Sequence, residues 1–295
     1  MVRKLSAEKK HEQSLAFGGQ ALIEGVMMRS RQYMVMCVRK SSNEILTNIE
    51  EINSLCEKYK ILGLPFLRGI VALFETLYLG FKALFFSANA VAEEEGVQFT
   101  YKDFAVAAVL TAGLLSFFFL VPFLLTSLFN LTGVLFNIVE AVIRLSIFIV
   151  YLVLVGMWGE FRRVLQYHGA EHKTINAYEA GAPLDIANVK NYSRLHPRCG
   201  TSFLFITVIV SIILFSIMPD WGFAVRLSYR LLLIPVIGGI SYELLRLSGR
   251  YHDSLLMRIA TLPGLAFQRL TTREPSDDMI EVAIKAAKET IKLQE

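Results

Sequence analysis

Two histidines and a glutamate form the stretch of this sequence best suited to chemistry. Residues 167–179 read YHGAEHKTINAYE, with His168 and His172 four positions apart and Glu171 directly before the second histidine. Side chains four positions apart lie on one face of an α-helix, so the two imidazoles could bind one zinc-like ion. Glu171 would then be placed to take a proton from a metal-bound water molecule. The order H-x-x-E-H is also that of the inverzincin metallopeptidases.

A second group of potential ligands follows about 25 residues later, in HPRCGTSF at 196–203. Histidine and cysteine stand three positions apart there, and both are common ligands of zinc. The predicted metal ligands are therefore His168, His172, His196 and Cys199. Glu171 is the predicted general base.

Each of these residues also has a structural interpretation. A histidine pair near a membrane surface can bond to headgroups or backbone carbonyls, and a cysteine can be a small packing residue. His252, just before Asp253, is a weaker candidate ligand. The metal hypothesis requires both histidine clusters to meet at one face of the membrane.

The composition is that of an integral membrane protein. Apolar residues make up 54% and charged residues 19% of the 295 residues, and the apolar residues occur in long runs. The net charge of +4 is spread over several loops without an aromatic and basic repeat, which argues against nucleic-acid binding. The three cysteines are widely spaced, so we expect free thiols in a reducing compartment.

Four segments are predicted to cross the bilayer, whose hydrocarbon core of about 30 Å requires about 20 apolar residues in a helix. They are residues 105–129, 134–158, 202–218 and 227–247. Glu140 and Arg144 in the second span are spaced to pair across one helical turn. No proline or turn cluster follows this span, which predicts that its helix continues past residue 172.

Residues 61–92 are apolar apart from a narrow polar stripe. Its members recur every seven residues and are Arg68, Glu75, Lys82 and Asn89. Charged side chains at mid-bilayer depth are costly unless they are paired. The stripe therefore favours an amphipathic helix that lies along or dips into the cytoplasmic leaflet. A fifth crossing is the alternative, and it would place the N-terminus outside.

Basic residues indicate the orientation of the chain. The loop 159–201 contains six lysines and arginines, whereas the turn at 130–133 contains none. Because basic loops stay on the cytoplasmic side, this loop and both termini are predicted to be cytoplasmic, in a multi-pass protein of the cell membrane.

The terminal regions are predicted to lie outside the bilayer. Residues 33–39 and 44–49 flank a polar turn and predict a β-hairpin. Ser276 is suited to cap a C-terminal helix. The chain thus divides into an N-terminal region at 1–60, an amphipathic interfacial or re-entrant helix at 61–92, a transmembrane domain at 105–247 that includes the loop 159–201, and C-terminal helices at 248–295.

Four separated segments carry a resemblance to a known family. They are FGGQALIEGVMMRS (17–30), YHGAEHKTINAYE (167–179), HPRCGTSF (196–203) and LTTREPSDDMIEVAI (270–284). In this order they resemble the YqhQ family of bacterial multi-pass membrane proteins, and the resemblance covers nearly the whole chain. Members of that family are described as metal-dependent enzymes, so the resemblance implies a metal centre and leaves the reaction open.

Two functions of different classes follow. The first is a membrane-embedded hydrolase at the cytoplasmic interface that uses a divalent ion, zinc by its ligand types, on a lipid or a membrane-bound peptide. In a variant of it, Cys199 is the nucleophile and a histidine its base. The second is a non-catalytic membrane scaffold or assembly factor, in which a structural cluster of histidine and cysteine joins helix ends. A transporter is a weaker hypothesis, because the predicted spans carry few charges at mid-bilayer depth.

Overall fold

A computed structural model gives the fold of the chain. It is mainly helical with a small antiparallel sheet near the N-terminus, as the sequence predicts. The residues that the structure describes are 18–93, 96–97, 99–217, 222–250 and 255–294.

The N-terminal region forms a four-stranded antiparallel sheet. Its strands, which neighbour one another in chain order, are β1 (Gly18–Leu22), β2 (Gly25–Arg29), β3 (Tyr33–Arg39) and β4 (Ile45–Glu51). The predicted hairpin is confirmed as β3 and β4, in which Val35 pairs with Ile49. The first hairpin, β1 and β2, was not predicted from the sequence, and its tight turn holds Glu24 at a φ of 51°.

Helices account for most of the remaining chain. Those within the described residues are α1 (Leu55–Lys58), α2 (Leu67–Ala92), α3 (Tyr101–Ser127), α4 (Gly133–Met157), α5 (Gly159–Glu179), α6 (Ile186–Val189), α7 (Gly200–Ser216), α8 (Phe223–Arg250), α9 (Leu255–Thr271) and α10 (Asp277–Lys292).

Four of these helices are long and apolar enough to cross a membrane by length and composition. They are Leu67–Ala92, Ala105–Ser127, Gly133–Met157 and Phe223–Leu247. The last three coincide with predicted spans. The remaining predicted span, 202–218, corresponds to α7, an apolar helix of 17 residues that is about 26 Å long at the usual helical rise.

The predicted continuous helix beyond the second span is wrong, because Trp158 interrupts it. With φ −77° and ψ 126°, Trp158 is extended, ends α4 and caps the start of α5. Glycines at 156 and 159 flank the break and lower the cost of a non-helical backbone there. An interruption allows α5 to change direction at this point. Met157 and Trp158 are exposed there, and an exposed tryptophan suits a membrane surface.

The sheet is covered on both faces. Because side chains alternate along a strand, Val35 and Cys37 of β3 join a core with α5 and α10, whereas Met34 and Met36 join a core with α2. The sheet is thus the middle layer between the helix that carries the histidine pair and the helix with the polar stripe.

Protein contacts satisfy the polar stripe of α2. The partners are Glu243 for Arg68, the Leu55 N–H for Glu75, Glu50 for Lys82 and the Phe99 N–H for Asn89. Arg68 donates two hydrogen bonds to Glu243, of 2.6 and 2.5 Å. The stripe therefore faces other elements of the protein.

A buried charge cluster joins the helices of the bundle. The predicted pair of Glu140 and Arg144 is confirmed, and Glu140 also binds Arg230 of α8. Arg230 is only 2% exposed and donates to Asn137 at 2.7 Å. Its guanidinium lies 4.4 to 5.4 Å from three phenylalanine rings, those of Phe123, Phe136 and Phe215. These contacts bring α3, α4, α7 and α8 together near the start of α4.

We expect Glu140→Ala to lower the free energy of unfolding by about 3–5 kcal/mol, because it leaves buried arginine charge without its carboxylate. Chemical denaturation in detergent micelles measures this change. The control is Arg31→Ala, which breaks the exposed pair of Arg31 and Glu57 and should cost less than about 1 kcal/mol. Equal losses in the two variants would contradict the structural role of the cluster.

Candidate metal centre

Three side chains from two helices meet in space. His168 and His172 lie on one face of α5, Cys199 directly precedes α7, and their ligand atoms all lie within 4.8 Å of one another. Cys199 Sγ is 3.3 Å from His168 Nε2. In a tetrahedral zinc site, sulfur and nitrogen ligands are about 3.5 Å apart. The spacing of the three donors is therefore compatible with one divalent metal ion.

Backbone carbonyls orient both imidazole rings. His168 Nδ1 donates to the carbonyl of Thr271 at 2.8 Å, and His172 Nδ1 donates to the carbonyl of Arg194 at 2.7 Å. A carbonyl can only accept, so Nδ1 carries the hydrogen and Nε2 is left as the donor atom for a ligand. Metal-ligating histidines usually have this arrangement. Burial also lowers the pKa of His172, which favours the neutral ring that binds metal.

The segment between α9 and α10 supplies one of these carbonyls and packs closely on α5. The Arg273 N–H donates to the carbonyl of Leu165 at 2.8 Å. Gly169 lies against the carbonyl oxygen of Arg273, where a Cβ atom would collide with it. The glycine beside the first histidine is therefore required for the approach of the segment that orients this histidine.

Glu171 is a buried carboxylate next to the three donors. Its side chain is on the same helix, the residue is 4% exposed, and Oε2 lies 3.9 Å from His168 Nε2. Burial raises the pKa of Glu171, and the nearby rings of His168 and His196 act in the opposite direction. A carboxyl group with a raised pKa can take and return a proton closer to neutral pH than an exposed one.

His196 lies beside this group and bonds to other residues. Its Nε2 is 3.3 Å from a carboxylate oxygen of Glu179, and its ring centroid is 5.8 Å from that of His172. Gln268 holds its backbone with two hydrogen bonds, of 2.8 and 2.7 Å. Burial lowers the pKa of His196 to about 4, so its ring is neutral. Among the described residues it is outside the three-donor group, and ligation by His196 stays a prediction.

The structure brings together four of the residues singled out in the sequence, namely His168, Glu171, His172 and Cys199. His252 and Asp253 lie outside the described residues. Sequence reasoning missed Arg194 and Thr271, which orient two of the rings, and Gln268, which holds the backbone of His196. Two of them act through backbone carbonyls, which every residue type provides, so the sequence contains no signal for them.

The fold and the site together define a class of protein: multi-pass helical membrane proteins with a partly buried His–His–Cys group that could hold a metal ion. Comparison with known proteins finds the same family that the four sequence segments resemble. The chain belongs to the family described as "Protein of unknown function (DUF1385)", which matches residues 64–293. It is also 35% identical over 310 residues to "Uncharacterized protein YqhQ" of Bacillus subtilis (strain 168), covering 97% of this chain and 95% of that protein. No solved structure matches the chain.

We expect Gly169→Ala to destabilise the protein by about 1–3 kcal/mol through overpacking against Arg273. The displaced segment should also weaken the bond from Thr271 to His168 and lower zinc affinity about 10-fold. Thermal unfolding and calorimetric zinc titration measure both effects. The matched control is Gly159→Ala on the same helix, where a Cβ atom would meet nothing within 4 Å. Equal zinc affinity in the two variants would show that this packing does not support the centre.

Proposed function

We propose that this protein is a membrane-embedded hydrolase that uses a divalent metal ion, zinc by the types of its ligands. One observation carries the proposal, namely the three convergent donors of His168, His172 and Cys199 with the buried carboxylate of Glu171 beside them. Three protein ligands leave one tetrahedral position open for water or substrate, which is typical of catalytic zinc sites, whereas structural sites are closed by four.

The roles of the side chains follow from their atoms. His168 and His172 would hold the ion through Nε2, and Cys199 through Sγ. The chemistry that a bound ion supplies is the activation of a water molecule at neutral pH. Glu171 would take the proton of this water on its carboxylate and return it to the leaving group. The carbonyls of Thr271 and Arg194 keep both rings turned toward the common point.

The surroundings of the centre support a substrate in or on the membrane. Cys199 caps the first turn of the apolar helix α7, and α5 begins directly after α4. Open sheet edges are not found in contact with lipid hydrocarbon, so the sheet that packs on α5 belongs outside it. The centre would then lie at the membrane surface, within reach of a lipid or a membrane-bound peptide.

The connections of the chain support a non-crossing α2. If α3 and α4 both cross, they return the chain to the side on which α3 begins, so the end of α2 and the start of α5 share one side. The sheet, which precedes α2, packs on α5 and belongs to that side as well. Both ends of α2 are then on one side, as in an interfacial or re-entrant helix. With α3, α4, α7 and α8 as crossings, both termini face the cytoplasm by the positive-inside rule.

Labelling of single cysteines tests this topology. In a chain with the native cysteines replaced by serine, Lys60→Cys and Asp185→Cys should react with a membrane-impermeant maleimide only in inside-out vesicles. Phe129→Cys, in the turn after α3, should react only from the opposite side. Labelling at 185 from outside would overturn the orientation. Labelling at 60 and 185 from opposite sides would show that α2 crosses.

A second arrangement within the same class is favoured by one contact. Cys199 Sγ lies 3.3 Å from His168 Nε2, and the carbonyl of Thr271 holds the other nitrogen of this ring. That is the geometry of a cysteine nucleophile with a histidine base. In this arrangement the thiol attacks the substrate directly, and the protein needs no metal ion.

A scaffold is the alternative from a different class. In it, the same side chains would join the ends of α5 and α7, with His196 as a fourth ligand that closes the site. The sheet and α10 would then serve as docking elements for partner proteins. The two classes differ in one measurable property, which is whether a bound ion keeps an exchangeable position.

We expect purified wild-type protein to hold about one divalent ion per chain, as a single three-ligand site requires. The double variant His168→Ala, His172→Ala should hold less than about a tenth of that, because one ligand remains. Mass spectrometry of the metal content measures both. Negligible metal in both proteins would rule out the metal proposal and favour the cysteine nucleophile.

The control variant is Glu171→Gln, which should keep the ion because Glu171 is not a ligand in the proposal. Azide added to the cobalt-loaded wild type separates hydrolase from scaffold. A change in the visible spectrum indicates an open position, and an unchanged spectrum indicates a closed structural site.

A further inference from the structure

The first hairpin touches α5 at two places, although its motif FGGQALIEG has no part in the metal centre described above. Gly19 of β1 lies against Glu171, and Glu24 in the turn lies against Arg163 and Tyr167. Both contacts lie within about two turns of His168 on the same helix.

Gly19 leaves no room for a side chain. A Cβ atom there would lie 2.8 Å from both Cγ and Oε1 of Glu171, and also 2.8 Å from the carbonyl oxygen of Met27. At the neighbouring Gly18, by contrast, an added Cβ atom would meet nothing within 4 Å. A glycine inside a strand often marks a close approach of another group, and here that group is the carboxylate of Glu171.

The carboxylate is enclosed between the strand and the imidazole. On one side the backbone of Gly19 blocks it, and on the other Oε2 lies 3.9 Å from His168 Nε2. Only 4% of Glu171 is exposed. Because the strand closes the space behind the side chain, the carboxylate stays directed toward the histidines.

The turn of the hairpin fixes the strand relative to the helix. Glu24 accepts two hydrogen bonds of 2.5 Å from the guanidinium of Arg163 and one of 3.3 Å from the Tyr167 hydroxyl. Paired bonds between a carboxylate and a guanidinium restrict both position and angle. The turn is thus attached to α5 at a point only a few residues before His168.

We propose that Gly19 is a positioning residue for Glu171, and that the pair of Glu24 and Arg163 holds β1 in the register that places Gly19 against it. The N-terminal sheet is then part of the metal centre, because it positions Glu171, and is not a separate docking module. This inference rests on the proposed function, because it assigns Gly19 a role through Glu171.

Cobalt absorption of the full-length protein in detergent tests the inference. We expect Glu171→Ala to change the visible spectrum of the bound Co²⁺ and to lower its affinity about 10-fold, because the carboxylate is the outer-shell partner of the centre. Gly19→Ala should change the visible spectrum in the same way and should also lower the affinity for Co²⁺. The matched control, Gly18→Ala, should equal the wild type, because an added Cβ atom there meets no neighbour.

A double variant separates positioning from general strain. If Gly19 acts through Glu171, the double variant Gly19→Ala, Glu171→Ala should have the same cobalt spectrum as Glu171→Ala alone. A further change would overturn the inference. If Gly19→Ala does not fold, Glu24→Gln takes its place, and a wild-type spectrum in that variant also overturns it. Failure of the wild type to bind Co²⁺ would refute the proposed function, whereas bound Co²⁺ with equal spectra for Gly18→Ala and Gly19→Ala refutes only the positioning.

Discussion

Two hydrogen bonds from imidazole rings to backbone carbonyls hold the candidate centre in place. Each contributes only about 0.5–1.5 kcal/mol to stability, but each fixes the ring orientation on which ligation depends. The two carbonyls are themselves connected. Arg194 provides the carbonyl for His172, and its guanidinium donates a hydrogen bond of 2.9 Å to the hydroxyl oxygen of Thr272. Thr272 directly follows Thr271, whose carbonyl holds His168. Three distant parts of the chain thereby form one closed set of contacts.

The surrounding elements keep the segments that carry His168, Arg194 and Thr271 next to one another. On one side, the sheet packs on α5 and α10 and prevents α5 from moving away. On the other, the apolar helices α3, α4, α7 and α8 are joined by the buried cluster around Glu140 and Arg230, and Glu140 lies 17 residues before Met157 ends α4. At a helical rise of about 1.5 Å per residue, Glu140 lies about 26 Å along α4 from its end. Two separate sets of contacts thus stabilise the fold: the packing of the sheet on α5 and α10, and the charge cluster near the start of α4.

Burial gives the centre its electrostatic character. Glu171, His172 and His196 are all nearly inaccessible to water, and burial disfavours the charged form of each. Neutral imidazoles are ligands, and a carboxyl with a raised pKa is suited to proton transfer. Cys199 and His168 are more accessible than these three residues, so the centre is more open at these two side chains.

Local periodicity in the sequence determined the long apolar helices, the β3 and β4 hairpin, the polar stripe of α2 and the common face of His168 and His172. It could do so because helical and strand periods depend on neighbouring residues alone. The tertiary structure alone decided the break at Trp158, the first hairpin and the contact of Gly19 with Glu171. It also placed Cys199, and not His196, in the three-donor group among the described residues. His168 and the carbonyl that orients it are 103 residues apart, and Gly19 meets a carboxylate on a helix that begins at Gly159. Contacts at such separations arise from how whole elements pack, and no local pattern of residue types records them.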